Sequence, residues 1–282
     1  MRKIVILASI FLAFFFLNKQ ETAAQIFDEP PSDGLFADDG ILDKEPIPFP
    51  NIRRADVVWS KRIWREIDFK QKMNHAFYYP VNSHNNWRSF INVIMDGIKE
   101  NEFPAYELSP TDELLVPLSY NEIMQNLEVG RTETFTDLDT GLEFDTLIIE
   151  EFDPSRVMRL RIKEDWYFDK QRSQMLVRIN AFCPVMIVER NGEEATQPLF
   201  WISYEQARPY LAKAPVFNRG NAAERRSYDE VFWKRSFASY IYKEENVYDR
   251  TITDYTTGLD AMLESERVKM DIFKFEHDLW EY

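Results

Sequence analysis

Three histidines and one cysteine are the residues best suited to chemistry in this chain of 282, and their spacing does not assemble a site. His75, His84 and His277 do not pair at metal-ligand spacing. Cys183 stands alone, so no Cys-x-x-Cys exists and a zinc site is not expected. No G-x-S-x-G elbow, H-E-x-x-H helix, S-x-x-K set or phosphate-binding loop appears, and eight glycines leave little material for one. Paired acids such as Glu150–Glu151, or Asp165, suit a glycosidase in type. In a chain of formal net charge −14 such acids are read first as solvated surface. His75, beside Tyr78-Tyr79-Pro80, reads as a packing residue. Cys183, inside the apolar run RINAFCPVMIV, reads as a buried thiol, because a reactive one needs access and a low pKa. No cofactor is implied.

What the sequence does concentrate is base and aromatic. Residues 53–72 carry Arg53, Arg54, Lys61, Arg62, Arg65, Lys70 and Lys72 against Asp56, Glu66 and Asp68, with Trp59 and Trp64 among them. A second cluster holds Arg219, Arg225, Arg226, Phe232, Trp233, Lys234 and Arg235. Arg, Trp and Tyr are enriched at interface hot spots. The candidate partner-contact residues are therefore Arg54, Lys61, Arg62, Arg65, Arg225, Arg226 and Arg235. Basic patches on an acidic chain also suit head-to-tail self-association, which closes into a ring when the rotation permits. The plainer alternative is an ordinary amphipathic element whose tryptophans fill the core and whose bases pair locally.

The elements that position these residues divide into three stretches. Residues 1–24 read as a signal peptide. Arg2 and Lys3 precede a 14-residue apolar run, too short to span a membrane comfortably, and Thr22-x-Ala24 predicts cleavage before Gln25. No cysteine lies at the junction, so no lipid anchor is expected, and the exported form carries −16. That charge argues against nucleic acid and against adsorption to anionic lipid. With one cysteine, an exported fold relies on its core rather than on disulfides. Residues 25–52 are acidic and proline-rich, read as an extended tail or as a strap that docks on a neighbour.

Residues 53–282 form the folded part, read as α+β with a mixed or antiparallel central sheet and flanking helices. Arg53–Asn74 fits a helix, with Trp59, Ile63 and Ile67 on one face; a strand over 57–69 places the same three together. Residues 87–100 predict a helix. Ser119 with Glu122 predicts a capping box opening a helix over 119–128. The middle is β-rich, with a hairpin at Asn191-Gly192 and a bulge or edge strand at Pro184. Helix is expected again at 227–237, strand at ASYIYKE (238–244), and a long amphipathic helix at 257–280. Its expected apolar side is Leu259, Met262, Leu263, Val268, Ile272, Phe275 and Leu279.

Four long aromatic blocks resemble the GldN/PorN family: DVVWSKRIWREIDFKQKMNHAFYYP (56–80), IKEDWYFDKQRSQMLVRINAFCPV (162–185), LFWISYEQARPYLAKAPVFN (199–218) and YDEVFWKRSFASYIYKEENVYDRTITDY (228–255). The resemblance covers most of the chain beyond residue 55 and none of 25–50. It implies a non-enzymatic periplasmic subunit of the type IX secretion and gliding-motility machinery. Such a subunit forms a ring at the outer membrane with a GldK/PorK-type lipoprotein and contacts a GldM/PorM-type motor protein. It is not itself inserted in the membrane. The competing classes are a glycan- or small-molecule-binding module, which stacks ligands on exposed tryptophans, and a periplasmic hydrolase.

Overall fold

The computed structural model describes residues 43–84, 87–127, 129–136, 143–150, 152–190, 193–218, 220–221 and 224–279. The expected signal peptide, most of the acidic tail and the Asn191-Gly192 turn lie outside them.

The first strand, β1 (Val57–Asp68), corrects the helical reading of 53–74. A four-residue spacing suits a helix face and, being even, also one face of a strand. Long-range partners decide between them. β1 is sandwiched between β6 (Val157–Asp169) and β10 (Tyr240–Glu244), both antiparallel. Both of its faces are buried: Ile63 and Ile67 on one side, Trp64 and Glu66 on the other. A helix has no use for a buried Glu66 opposite its apolar stripe.

From β6 the sheet continues through β7 (Gln174–Arg190) to β9 (Trp201–Ser203), β2 (Ala105–Tyr106) and β3 (Pro117–Leu118), while β8 (Glu193–Pro198) also pairs with β7. Every pairing is antiparallel, as the α+β reading allowed. Pro184 is neither an edge nor a bulge. It sits where the second partner of β7 changes from β9, ending at Phe182, to β8, beginning at Val185. A missing donor is tolerated at such a changeover. A separate hairpin, β4 (Val129–Thr136) with β5 (Glu143–Glu150), stands outside this sheet.

The helices are α1 (His75–Tyr78), α2 (Phe90–Lys99), α3 (Tyr120–Leu127), α4 (Tyr204–Lys213), α5 (Tyr228–Trp233) and α6 (Leu259–Asp278). The capping box forms as expected. Glu122 Oε2 accepts from Ser119 N at 2.8 Å, and Glu122 N donates to Ser119 Oγ at 3.4 Å. Gly97, inside α2, is there for room: a Cβ would run into the Phe103 ring.

The main core lies between the sheet and α2, α4 and α5. Its centre is a nest of rings. Phe182 and Phe232 stand 4.4 Å apart between centroids, and Phe77, Phe90 and Tyr228 close around them. A smaller cluster, Ile63, Ile241, Val268 and Ile272, seats α6 on the β1–β10 edge. On the opposite side of β1, Trp64 packs with Cys183 and Trp201.

The end of the acidic segment docks on its own fold. The Phe49 ring lies against Trp233 and under the Arg178 and Arg208 guanidiniums, at 4.4 and 4.3 Å from its centroid. Lys44 pairs with Glu230 at 2.5 Å. Beneath, Arg208 and Asp229 form a two-point ion pair at 2.8 and 3.1 Å, both buried, with the Tyr204 hydroxyl donating to Asp229 at 2.6 Å.

Candidate interaction surfaces

Cys183 is placed for packing, whereas His75, His84 and His277 are exposed, which corrects the reading of His75 as a packing residue. Cys183 is 0 % exposed, its Sγ directed at the Pro184 carbonyl at 3.6 Å, and burial pushes its thiol up to about 12. His75 Nε2 lies 3.4 Å from the Lys70 carbonyl, and His84 Nδ1 lies 3.1 Å from that of Asn82. Among the described residues no three His, Cys, Asp or Glu side chains gather as a metal site. Asp165 is occupied by Arg62 and Asn180. The Glu150–Glu151 pair lies outside the residues whose side chains are described.

The expected contact bases are largely spoken for within the fold. Arg62 grips Asp165 with two hydrogen bonds, 2.6 and 3.0 Å. Lys61 pairs with Glu244 at 2.5 Å. Arg65 is half-buried and donates to Ser239 Oγ at 2.9 Å; desolvation lowers its pKa. Arg235 pairs with the fully buried Glu164 at 2.9 Å and lies over Trp166 and Phe237. Glu164 also attracts Arg65. The two basic clusters of the sequence thus meet at one buried acid. Arg226 pairs with Glu224 at 3.1 Å, and Arg225 is half-buried. Arg54 is exposed. Arg54, Lys61 and Arg62 line one cleft of about 470 Å³ together with Asp165 and Glu245. A matching network crosses the other face of β1. Buried Glu66 accepts from Arg159 at 2.9 Å, Arg161 at 3.1 Å and the Tyr240 hydroxyl at 2.5 Å. Lys243 lies over the Trp64 ring at 4.5 Å.

Two surfaces escaped the sequence reading. The first is on α6. Of its expected apolar side, Val268 and Ile272 are buried and Phe275 stacks on Trp59 at 4.7 Å. Leu259, Met262 and Leu263 instead point away from the sheet, 70, 70 and 60 % exposed, in line with Met270 and Phe273. The spacings 259, 262/263, 270 and 273 fall on one side of a helix, opposite Ser265, Val268 and Ile272. The helix carries two apolar stripes, and the sheet covers one. An excess of apolar residues beyond one stripe was the available signal.

The second is a groove of about 900 Å³ between α1 and the loop before α5. Its cations are Lys70, Lys72 and Arg226, with His75 and His84 beside them; Met73, Tyr79 and Phe217 give it apolar walls. No acid lines it among the described residues. Lys70 and Lys72 have no ion-pair partner there. Trp87 backs Phe217 edge-on at 5.7 Å.

The α+β fold thus ties several of the expected contact bases into structural pairs and leaves an exposed apolar helix face and a basic groove. The chain belongs to the family of gliding motility associated protein GldN, whose model matches residues 52–281. That family is a component of the gliding-motility and type IX secretion machinery, and not a known enzyme family. No curated protein sequence matches the chain significantly. No helix among the described residues is long and apolar enough to cross a membrane.

Proposed function

We propose that this protein is a non-enzymatic structural subunit of the type IX secretion and gliding-motility machinery, exported to the periplasm after cleavage near Gln25. There it forms a ring at the outer membrane with a GldK/PorK-type lipoprotein, and its ring contacts the periplasmic part of a GldM/PorM-type motor protein. Residues 53–282 act as the assembling domain. The observation that carries this reading is the outer stripe of α6, five large apolar side chains in line and uncovered, on a member of a machinery family. Exposed large apolar side chains gathered on one helix face are the kind of surface that marks a protein contact. Arg54 and the rim of the Arg62 cleft supply charge beside such contacts, and Arg225 and Arg226 do so near α5. The glycan-module alternative needs tryptophans lining one open groove. Trp64 and Trp201 are buried and Trp59 is stacked under Phe275.

The test is native mass spectrometry and electron microscopy of the chain co-expressed with its lipoprotein partner. Rings are expected from the unaltered chain, and loss of assembly from Met262→Glu with Phe273→Glu, at an unchanged melting temperature. Normal rings from that double variant overturn the assignment of the α6 stripe. The absence of any higher-order complex overturns the ring.

A further inference from the structure

The two surfaces that the fold leaves open complement each other. The outer stripe of α6, Leu259, Met262, Leu263, Met270 and Phe273, is apolar and exposed. The helix that carries it is acidic, with Asp260, Glu264, Glu266, Asp271, Glu276 and Asp278 against Arg267, Lys269 and Lys274. Arg267 is held by Glu264 and Asp271, and Lys269 by Glu266. Asp260, beside the first residue of the stripe, is exposed and has no ion-pair partner among the described residues.

The groove is the converse. Met73, Tyr79 and Phe217 are exposed apolar walls, and no described acid lines it. Arg226 already pairs with Glu224, which leaves Lys70 and Lys72 as its uncompensated charge. From Leu259 to Phe273 the stripe is about 21 Å long. A groove of about 900 Å³ is near the top of the range for a ligand site and has room for several large side chains. The two surfaces share no residue and are seated separately. α6 rests on the Ile63–Ile241 cluster, whereas Ala76 and Phe77 of α1 belong to the main core.

We propose that the groove of one copy of this chain receives the α6 stripe of the next. The contact is a helix laid in a groove. Apolar side chains of the stripe take the walls formed by Met73, Tyr79 and Phe217, and Lys70 and Lys72 meet the acids that flank it. Each copy offers one stripe and one groove, so the contact is heterologous. It propagates head to tail and closes into a ring when the rotation per step permits. The inference rests on the reading of the stripe as an assembly surface, and adds what that surface touches.

The experiment uses the full chain co-expressed with its lipoprotein partner. Zero-length carbodiimide coupling is expected to join Lys70 or Lys72 to an acid of α6 on another copy, established by mixing isotopically light and heavy protein. Lys70→Glu with Lys72→Glu is expected to abolish rings at an unchanged melting temperature, as Met262→Glu with Phe273→Glu does, and raised salt to weaken the unaltered assembly. The two double variants are then mixed without the lipoprotein. The first keeps a stripe and the second keeps a groove, so native mass spectrometry is expected to show one-to-one pairs and nothing longer, with no self-association of either variant alone. Normal rings from the lysine variant overturn this inference and leave the ring reading standing. Couplings from Lys70 or Lys72 only to the lipoprotein, or only within one chain, also overturn it, as does a mixture that forms no pairs. The absence of any higher-order complex from the unaltered chain takes down the ring reading and this inference together.

Discussion

Two neighbouring stretches carry similar numbers of bases and use them differently. On β1, Lys61, Arg62 and Arg65 each meet a partner supplied from far along the chain. A few residues later Lys70 and Lys72 are exposed and, among the described residues, have no ion-pair partner, around a groove that no described acid lines. Strand geometry explains the contrast. β1 lies between β6 and β10, whose Asp165, Glu164 and Glu244 stand beside it in register. Beyond Asp68 the chain leaves the sheet, and no neighbouring strand brings acids alongside. Charge density in a sequence is thus a poor guide to free charge. What matters is whether an element passes between partners.

The largest effect expected from this contrast comes from breaking the paired side. Arg65→Glu places an anion beside buried Glu164 and removes the bond to Ser239, and should cost about 3–5 kcal/mol. Trp64→Ala, beneath Lys243, should cost about as much through the cavity it leaves. Thermal melting should show a fall of roughly 10 °C or more for each. A variant at position 65 that melts within a degree or two of the parent would mean that the β1 bases are as dispensable as the groove's.

An intermediate effect is expected at Arg62–Asp165, and it depends on pH. Burial alone raises the Asp165 pKa, but the hydrogen bonds from Arg62 and Asn180 and the charges of Arg62 and Lys163 outweigh it, so the net shift is downward. The unfolded chain takes up this proton near the usual value of about 3.9, the folded chain only at lower pH. Stability from the pair is therefore complete above about pH 4 and is lost as pH falls through the folded value. Asp165→Asn should melt lower by the equivalent of about 1–3 kcal/mol at neutral pH. The gap to the parent should close in acid; a gap that stays constant down to pH 2 contradicts this account.

Cys183 gives a kinetic comparison. Its buried thiol should ignore a maleimide in the native protein and react fully in denaturant, and fast native labelling would show that the Trp64–Trp201 layer opens. The smallest effect belongs to the groove. Lys70→Glu and Lys72→Glu should each alter stability by no more than about 0.5 kcal/mol. Their melting curves should overlay the parent's, which makes them clean probes of binding.

The legible parts of the fold were those encoded locally. The Ser119–Glu122 cap, the helix after Ser89 and the strand at Tyr240–Glu244 each depend on residues a few positions apart. β1 was ambiguous because Trp59, Ile63 and Ile67 satisfy both periods, and only strands more than ninety positions away resolve it. The surfaces were legible as composition and not as place. Arg54, Lys61 and Arg62 do share a cleft, whereas Arg65 and Arg235 turn inward to Glu164. The outer stripe of α6 was assigned to the core, since a sequence shows that a helix has apolar residues and not how much sheet is left to cover them. The groove joins α1 to residues beyond α4, and no spacing rule connects Lys70 to Phe217.

The position of β1 also sets a timetable. Ile63 pairs with Glu164 on one side and with Glu244 on the other, and Trp59 waits for Phe275, near the end of the chain. The strand made first is finished last. Closing loops that long costs entropy before any contact repays it, which places folding among the slower, non-local topologies, on the scale of milliseconds to seconds. Until then an aromatic, positively charged edge stays open along the growing chain. Any machinery that must move this chain unfolded has that interval in which to do it.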